Sequence, residues 1–258
     1  MNISATPPAG AAGTLIIGDR AVNRMGFGAM RICGPNIWGP PRDRGEVLKV
    51  LRRAIELGVN FIDTADSYGP DVSETLIAEA LYPYPAGLVI GTKGGLLRPQ
   101  PDAWEPDGRP EHLRRAIEGS LKRLRLDCID LYQFHAPDPR VPFAESIATL
   151  AALKRTGKIR HVGLSNVTVD QLEEARQIVP IMSVQNKLNL ADRSSASVLA
   201  ACERLGIPFI PWYPLDGGGS LESAALKKLA AARGASAAQL ALAWLLSKSP
   251  VILMIPGT

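Results

Sequence analysis

The sequence has little of several residue types that would indicate a specialised chemistry or location. Its 258 residues include three cysteines, three histidines and 5% aromatic residues. Cys33, Cys128 and Cys202 are too far apart for a paired or metal-binding motif, a pattern that favours a reducing, cytoplasmic compartment. So few histidines argue against a metal-dependent hydrolase, and we expect no metal site.

Long apolar runs and runs of one charge are also missing. The longest apolar stretch near the end of the sequence, Ala235–Leu246, is interrupted by Ser236 and Gln239 and is too short to span a bilayer. The net charge of +4 comes from Lys and Arg residues interspersed with Asp and Glu, so no basic tract follows a nucleic-acid backbone. We therefore expect neither membrane nor nucleic-acid binding, and a monomer or weak homo-oligomer. Residues 1–13 lack the pattern of a signal peptide, and we expect them to be a flexible tail.

What the sequence does contain is an alternation of short apolar, β-branched runs with amphipathic helical stretches. Eight runs predict strands: Met25–Gly28, Val59–Asp63, Leu88–Thr92, Cys128–Phe134, Ile159–Leu164, Met182–Gln185, Phe209–Tyr213 and Val251–Ile255. Seven stretches predict helices: Arg44–Leu57, Val72–Leu81, Pro110–Leu124, Pro142–Thr156, Val169–Gln177, Ser194–Leu205 and Ala235–Leu246. Strands that are apolar on both faces and separated by helices are parallel.

Eight such units in 258 residues predict an α/β fold, a (β/α)8 TIM barrel that occupies residues 1–258 as a single domain. A hairpin formed by Thr14–Gly18 and Arg20–Asn23 should plug the N-terminal mouth of the barrel. The alternative is a doubly wound open sheet, which would need an early glycine-rich phosphate loop that opens a helix. Gly26-Phe27-Gly28 lacks the third glycine and the helix, so the barrel is favoured.

Four side chains that can handle protons follow three adjacent predicted strands. Asp63 and Tyr68 follow the second strand, Lys93 the third and His135 the fourth, and the C-terminal ends of barrel strands are where active sites form. A carbonyl that receives a hydride needs a proton, and a tyrosine can donate it if a neighbouring ammonium lowers its pKa. Asp63 would keep Lys93 charged, and His135 would orient the carbonyl oxygen. A structural ion pair, a rim tyrosine and a core histidine remain alternatives for each residue taken singly.

Five segments carry a resemblance to a known family. They are Asp63–Gly69, Thr92-Lys93, Asp130–His135, Gly157–Asn166 and Ile255–Thr258, and they resemble the aldo-keto reductases. The resemblance extends from about Gly18 to the last residue. It implies a TIM barrel, NADPH as the cofactor and a catalytic tetrad of Asp63, Tyr68, Lys93 and His135.

The same resemblance implies which residues hold the cofactor. Ser165, Asn166 and Gln185 would bind the nicotinamide carboxamide. The glycines of 215–221 would let backbone N–H groups approach the diphosphate, although a merely flexible connector is the alternative there. Trp212 stands where the family has a stacking tyrosine, with Tyr213 beside it, and we favour Trp212 for its larger ring. The expected contacts are Gly28, Met30, Asp63, Ser165, Asn166, Gln185, Trp212, Tyr213, Pro214, Leu215, Gly217, Gly219, Leu221, Ile255, Gly257 and Thr258.

Substrate contacts should come from the loops above the strands. The candidates are Ile32, Trp38, Tyr68, Leu96, Trp104 and His135, with Met30 and Tyr132 as further possibilities. Trp104 lies on the long loop Gly94–Arg109, where it either contacts substrate or pins the loop to the barrel.

The sequence lacks one C-terminal segment that family members have, and the resemblance leaves two functions open. The chain ends at Thr258, whereas family members continue with a helix and with residues that bind the 2′-phosphate of NADPH. We therefore expect a C-terminal helix beyond these residues, and NADH is not excluded. Phe209–Leu215 and Gln239–Leu246 are similar to a bacterial subgroup that includes pyridoxal reductases, so pyridoxal is a candidate substrate. The alternative is a cofactor-sensing regulatory subunit with little turnover.

Overall fold

The computed structural model describes residues 7–257 and confirms the predicted alternation of strands and helices. The strands are β1 (Thr14–Ile17), β2 (Arg20–Asn23), β3 (Phe27–Gly28), β4 (Phe61–Asp63), β5 (Val89–Gly94), β6 (Leu96–Leu97), β7 (Glu105–Pro106), β8 (Ile129–Phe134), β9 (Ile159–Ser165) and β10 (Ile181–Gln185). The helices are α1 (Arg44–Glu56), α2 (Val72–Leu81), α3 (Pro110–Leu124), α4 (Phe143–Arg155), α5 (Val169–Ile178), α6 (Ala196–Leu205), α7 (Ala224–Ala231) and α8 (Ala237–Leu246).

Six strands form one parallel sheet in the order β10-β9-β8-β5-β4-β3. Two further segments join its edges and close the barrel. Phe209 bridges to Val184 of β10 on one side and to Ile252 on the other, and Met254 bridges to Met25 next to β3. The fold is therefore the predicted (β/α)8 barrel.

Within residues 7–257, the seventh and eighth predicted strands pair through isolated bridges, which also include one between Trp212 and Lys187, and this pairing is less regular than the sequence predicts. Pro208 and Pro211 flank Phe209 and Ile210 in the seventh segment, and Pro250 and Pro256 flank the eighth. Proline has no N–H to donate to a neighbouring strand, so each of these prolines leaves a gap in the hydrogen bonding of its segment.

The predicted hairpin closes the N-terminal end of the barrel. Strands β1 and β2 pair antiparallel, and their side chains Ile17 and Val22 are completely buried. They pack in one cluster with Phe61, Val89 and Leu131, which lie near the starts of β4, β5 and β8. The bottom of the barrel is thus filled with apolar side chains, which leaves the opposite end for the site.

Three segments differ from the sequence prediction. The expected flexible tail contains a 3-10 turn at Pro8–Ala12, and its Ala9 N–H donates to Leu57 O at 3.0 Å, while residues 1–6 lie outside the described part. The long loop Gly94–Arg109 contains the small hairpin β6–β7. Helix α7 was not predicted from the sequence, although its alanine-rich residues have high helix propensity.

The outer helices pack as their sequence patterns predict. In α3, Leu113, Ile117, Leu121 and Leu124 are buried against the sheet. Across residues 7–257, none of the helices combines the length and the apolar character that a membrane crossing requires.

Candidate active site

The four predicted proton-handling residues lie together at the C-terminal end of the barrel. Lys93, on β5, is completely buried, and its Nζ donates three hydrogen bonds. The acceptors are Asp63 Oδ2 at 2.7 Å, Thr64 O at 2.9 Å and the Tyr68 hydroxyl at 3.1 Å. All three ammonium donors are satisfied, so the lysine is fixed between the carboxylate and the phenol.

Two glutamines hold the other oxygen of Asp63. Gln133 Nε2 on β8 donates to Asp63 Oδ1 at 3.1 Å, and Gln185 Nε2 on β10 donates to the same atom at 2.8 Å. Ser183 Oγ lies 3.3 Å from Gln133 Oε1 and extends the chain of hydrogen bonds across the barrel. The role of Gln133 was not predicted from the sequence, although a glutamine inside an apolar strand is a signal that a polar partner is buried nearby.

Burial decides the protonation of the phenol. It raises the pKa of Tyr68 above its ordinary value, and the charge of Lys93 offsets this only in part. The prediction that Lys93 lowers this pKa on balance was wrong, because the burial of the phenol cannot be read from the sequence. Burial is the largest single influence on the pKa of Lys93 and would lower it, but the charges and hydrogen bonds of Asp63 and Tyr68 together outweigh it, and the net direction is upward. At neutral pH the site therefore holds a protonated phenol next to a charged ammonium.

His135 lies next to Tyr68, with ring centroids 5.9 Å apart and planes at 82°. Burial, and then the charge of Lys93, hold the pKa of His135 well below its usual range, so its imidazole is neutral. Its Nδ1 lies 3.3 Å from the hydroxyl of Ser67, which is itself buried. A neutral imidazole next to the phenol can donate one hydrogen bond to a carbonyl oxygen.

A cleft of about 590 Å³ opens above these residues. Among the predicted contacts, its lining includes Gly28, Met30, Asp63, Tyr68, Leu96, Trp104, His135, Ser165, Asn166, Gln185, Trp212, Tyr213, Pro214, Leu215, Gly217, Leu221, Ile255 and Gly257. Arg31, Gly218 and Pro256 also line the cleft and were not predicted. Arg31 stands out because it brings a positive charge to within 3.5 Å of the Tyr213 hydroxyl.

The remaining predicted contacts lie elsewhere. Ile32 packs in the core beneath β3 and β4, and Tyr132 is completely buried in the core on the α3 side of β8. Trp38 lies behind the cleft wall against Arg98. Gly219 is exposed next to the lining loop, and Thr258 lies outside the described residues.

The cleft has the features that a dinucleotide requires. Asn166, in a left-handed conformation, donates to His135 O and accepts from Trp212 Nε1 at 3.0 Å, so the indole is fixed beside the Ser165 end of the cleft. At the other end, Gly217 and Gly218 also have positive φ and leave backbone exposed in the loop beside Arg31. An aromatic face, amide groups and a glycine loop with a nearby cation suit a nicotinamide at one end and a diphosphate at the other.

No group of three or more His, Cys, Asp or Glu side chains within residues 7–257 is arranged to hold a metal ion. The polar side chains that line the cleft are instead amides, hydroxyls, the His135 imidazole, the Arg31 guanidinium and the Asp63 carboxylate, which is paired with Lys93.

Comparison with known proteins identifies the family. The family model described as Aldo/keto reductase family matches residues 24–258. The chain belongs to the aldo/keto reductase family. It is accordingly an NAD(P)H-dependent oxidoreductase.

Two relatives align along almost the whole chain. An uncharacterized oxidoreductase of Schizosaccharomyces pombe is 51% identical over 260 residues, which cover 99% of this chain and 83% of the relative. The pyridoxine 4-dehydrogenase of Escherichia coli is 44% identical over 252 residues, which cover 95% of this chain and 88% of the relative.

Solved structures of the family share the fold. A glycerol dehydrogenase from Gluconobacter oxydans superposes with a TM-score of 0.86 at 29% identity, covering 96% of this chain and 86% of that chain. An aldo-keto reductase from Klebsiella pneumoniae, solved in complex with NADPH, superposes with a TM-score of 0.81 at 25% identity, covering 95% and 84%.

Proposed function

We propose that this protein reduces an aldehyde or ketone to an alcohol with NADPH, and that Tyr68 is the proton donor. One observation carries the proposal. The buried Lys93 ammonium hydrogen-bonds both Asp63 and the Tyr68 hydroxyl, and Tyr68 and His135 both face the cleft. This arrangement supplies a proton and a hydrogen bond at one point, which a carbonyl oxygen needs when its carbon is reduced.

The cofactor proposal rests on the lining of the cleft and on the family. Ser165, Asn166 and Gln185 would orient the nicotinamide, Trp212 would stack on it, and the loop with Gly217 would surround the diphosphate. Bound NADPH would supply the hydride that the carbonyl carbon accepts. The complex of the Klebsiella relative with NADPH supports this choice of cofactor.

Tyr68 would then transfer its phenolic proton to the carbonyl oxygen, whose π electrons have become a lone pair. A raised pKa suits this role, because the phenol keeps its proton until a strong base, the developing alkoxide, lies against it. The phenolate that remains would be stabilised by Lys93, 3.1 Å away. His135 would donate a hydrogen bond to the same oxygen and hold it in place.

Pyridoxal is the specific substrate that we propose to test first. The relative from E. coli is named for the oxidation of pyridoxine, and the reverse of that reaction reduces pyridoxal. The chain shares 44% identity with that relative over 95% of its own length.

We also propose a reducing, cytoplasmic location. Cys33 and Cys202 are unpaired and buried, and burial raises the pKa of each thiol to about 12. Such thiols are unreactive and fit a protein that needs no disulfides.

The test is a turnover assay that compares the wild type with Tyr68→Phe. Purified protein is mixed with NADPH and with pyridoxal or a panel of simple aldehydes, and the loss of NADPH absorbance is followed. We expect Tyr68→Phe to lower kcat by a factor of about 10²–10⁴, since it removes the general acid. NADPH affinity, measured by fluorescence titration, should stay within about twofold, because the phenol lies at the carbonyl end of the cleft.

Equal turnover in both proteins would overturn Tyr68 as the donor. If the wild type bound NADPH but reduced none of the aldehydes, the result would favour the cofactor-sensing alternative.

A further inference from the structure

Arg98 is a buried cation without an acid partner within hydrogen-bonding distance. It lies on the hairpin loop between β6 and β7, and only 6% of its surface is exposed. Its guanidinium donates to the carbonyls of Asn36 (2.9 Å), Ile37 (3.3 Å) and Pro101, and its Nε is buried with no partner among the described residues. Within residues 7–257 it forms no salt bridge.

Two indole rings enclose this guanidinium. Its Cζ lies 3.7 Å from the ring centroid of Trp104 and 5.6 Å from that of Trp38. The distance to Trp104 is that of direct stacking, in which the cation interacts with the π-face of the ring. Burial lowers the pKa of Arg98, but an arginine stays charged throughout the physiological range.

The stack joins three loops at the rim of the barrel. Asn36 and Ile37 have positive φ, and their carbonyls both point to Arg98. The Ile37 carbonyl also accepts from the N–H of Gly69, which directly follows Tyr68. Through these contacts, Arg98 holds the loop of Trp104 against the segment that carries the proton donor.

Trp104 faces the reacting groups on the other side of the stack. Its ring centroid lies 6.5 Å from that of Tyr68 and 6.5 Å from that of His135, with interplanar angles of 78° and 69°. The three rings are therefore steeply inclined to each other and form a corner of the cleft. Trp104 is 38% exposed there, although Arg98 covers one of its faces.

We propose that the stack of Trp38, Arg98 and Trp104 determines substrate specificity, with Trp104 as a fixed flat wall that selects planar aromatic aldehydes. Trp104 contacts the substrate, and Arg98 is a positioning residue that acts through it. This inference rests on the proposed function, and it assigns the class of carbonyl compound that the site accepts.

The geometry of the corner explains the selection. A planar ring can lie against the indole at van der Waals distance while its carbonyl oxygen points to Tyr68 and His135. A saturated ring of the same size is thicker, so it meets the wall at fewer atoms and gains less dispersion energy. The preference depends on a rigid wall, because a mobile indole would adapt to either shape at an entropic cost.

The experiment measures binding in the absence of turnover. Benzaldehyde and cyclohexanecarboxaldehyde, which differ mainly in ring planarity, are titrated by calorimetry into protein saturated with NADP⁺, which cannot reduce them. We expect the wild type to bind benzaldehyde more tightly. Arg98→Met should weaken benzaldehyde binding about tenfold, in line with the loss of a desolvated cation–π contact, and change cyclohexanecarboxaldehyde binding less than about twofold.

Further variants separate the wall from a general loss of structure. Trp104→Leu should remove the same preference, and Trp104→Phe, which keeps a flat ring, should restore part of it. Arg114→Met provides the matched control, since Arg114 is exposed on α3. A wild type that binds both aldehydes equally, or variants at both positions that weaken both aldehydes equally, would overturn the proposal.

Failure of the proposed function would appear differently. If NADP⁺ itself did not bind, the cofactor assignment would fall, and the same two aldehydes would be titrated into the protein alone. A planar preference that depends on Arg98 and Trp104 would still support the wall, whereas its absence would overturn it.

Discussion

The hydroxyl of Ser67 lies 3.3 Å from Nδ1 of His135, and both residues are buried. Among the described residues, the hydroxyl has no other hydrogen-bonding partner and His135 Nε2 has none. If Nδ1 carried the proton, the Ser67 hydroxyl would be left without an acceptor in a buried position. If Ser67 donates to Nδ1, both groups are satisfied and the ring proton is on Nε2, available to a substrate oxygen. Ser67 therefore determines which nitrogen of His135 can donate.

Replacement of Ser67 should affect the chemical step more than substrate binding. We expect Ser67→Ala to lower kcat about tenfold, which is the lower end for loss of a residue that orients a functional histidine, with KM changed less than about twofold. Ser67→Thr keeps the hydroxyl and should retain most of the activity.

The tautomer of His135 can be measured directly, and it would not change if Ser67 had only a structural role. The chain has three histidines, so nitrogen NMR of the imidazole rings can be assigned by single substitutions. The wild-type His135 should show a protonated Nε2, and Ser67→Ala should show a mixture of tautomers. A wild-type ring protonated at Nδ1 would contradict the assignment.

The ion pair of Lys93 with Asp63 should dominate the stability of the site. Lys93→Met leaves the Asp63 carboxylate buried without a counter-ion, which typically costs about 3–5 kcal/mol of unfolding free energy. The double variant Lys93→Met with Asp63→Asn removes the charge and should recover much of that loss. Urea unfolding measures all three proteins.

The control for this prediction is Lys122→Met, because Lys122 is exposed on α3. Its unfolding free energy should stay within about 0.5 kcal/mol of the wild type. If Lys93→Met were no more destabilising than this control, the pair would contribute nothing to folding and its role would lie in catalysis alone.

The sequence was sufficient to predict the barrel and the placement of Asp63, Tyr68, Lys93 and His135 at one end of it, because both follow from local patterns. Asp63, Lys93 and His135 each lie at or just after the end of an apolar strand, and parallel strands bring such positions to one edge. Ser67 and Arg98 were missed because their roles depend on contacts between segments far apart in the chain. The direction of the Tyr68 pKa was missed for a related reason, since burial depends on everything that packs around the phenol.

Asp138 should make stability depend on pH through the loop that carries Trp104. Hydrogen bonds from Arg140, followed by those from the backbone of Arg140 and Gly108, lower the pKa of Asp138 to about 2. A pKa that is lower in the folded chain than the ordinary value of about 4 stabilises the fold above pH 4, and this contribution is lost as the pH falls toward 2. The unfolding free energy of Asp138→Asn should therefore lie below that of the wild type at pH 7.

The difference between the two proteins should shrink as the pH falls from 5 to 2, as measured by urea unfolding at several pH values. Asp127→Asn is the control, because Asp127 is exposed and forms no salt bridge among the described residues. A gap between Asp138→Asn and the wild type that stays constant over this range would show that Asp138 acts through packing and not through its charge.

The glycine loop beside Tyr213 offers a test of cofactor binding that is independent of turnover. Gly217 has a φ of +59°, and a Cβ atom at this position would lie 2.4 Å from the Tyr213 hydroxyl. Gly217→Ala should displace the loop or the tyrosine and raise the Kd for NADPH at least fivefold, since the added Cβ is too close to the hydroxyl and a displaced loop would lose about 1 kcal/mol or more of binding free energy. Gly218→Ala is the matched variant: its φ is +99°, but no heavy atom lies within 4 Å of the added Cβ. Adding Tyr213→Phe to Gly217→Ala removes the nearest atom and should recover part of the affinity.

Equal losses of NADPH affinity at the two glycines would mean that backbone strain, and not crowding against Tyr213, controls the loop. Unchanged NADPH affinity in both variants would show that this loop is not part of the cofactor site.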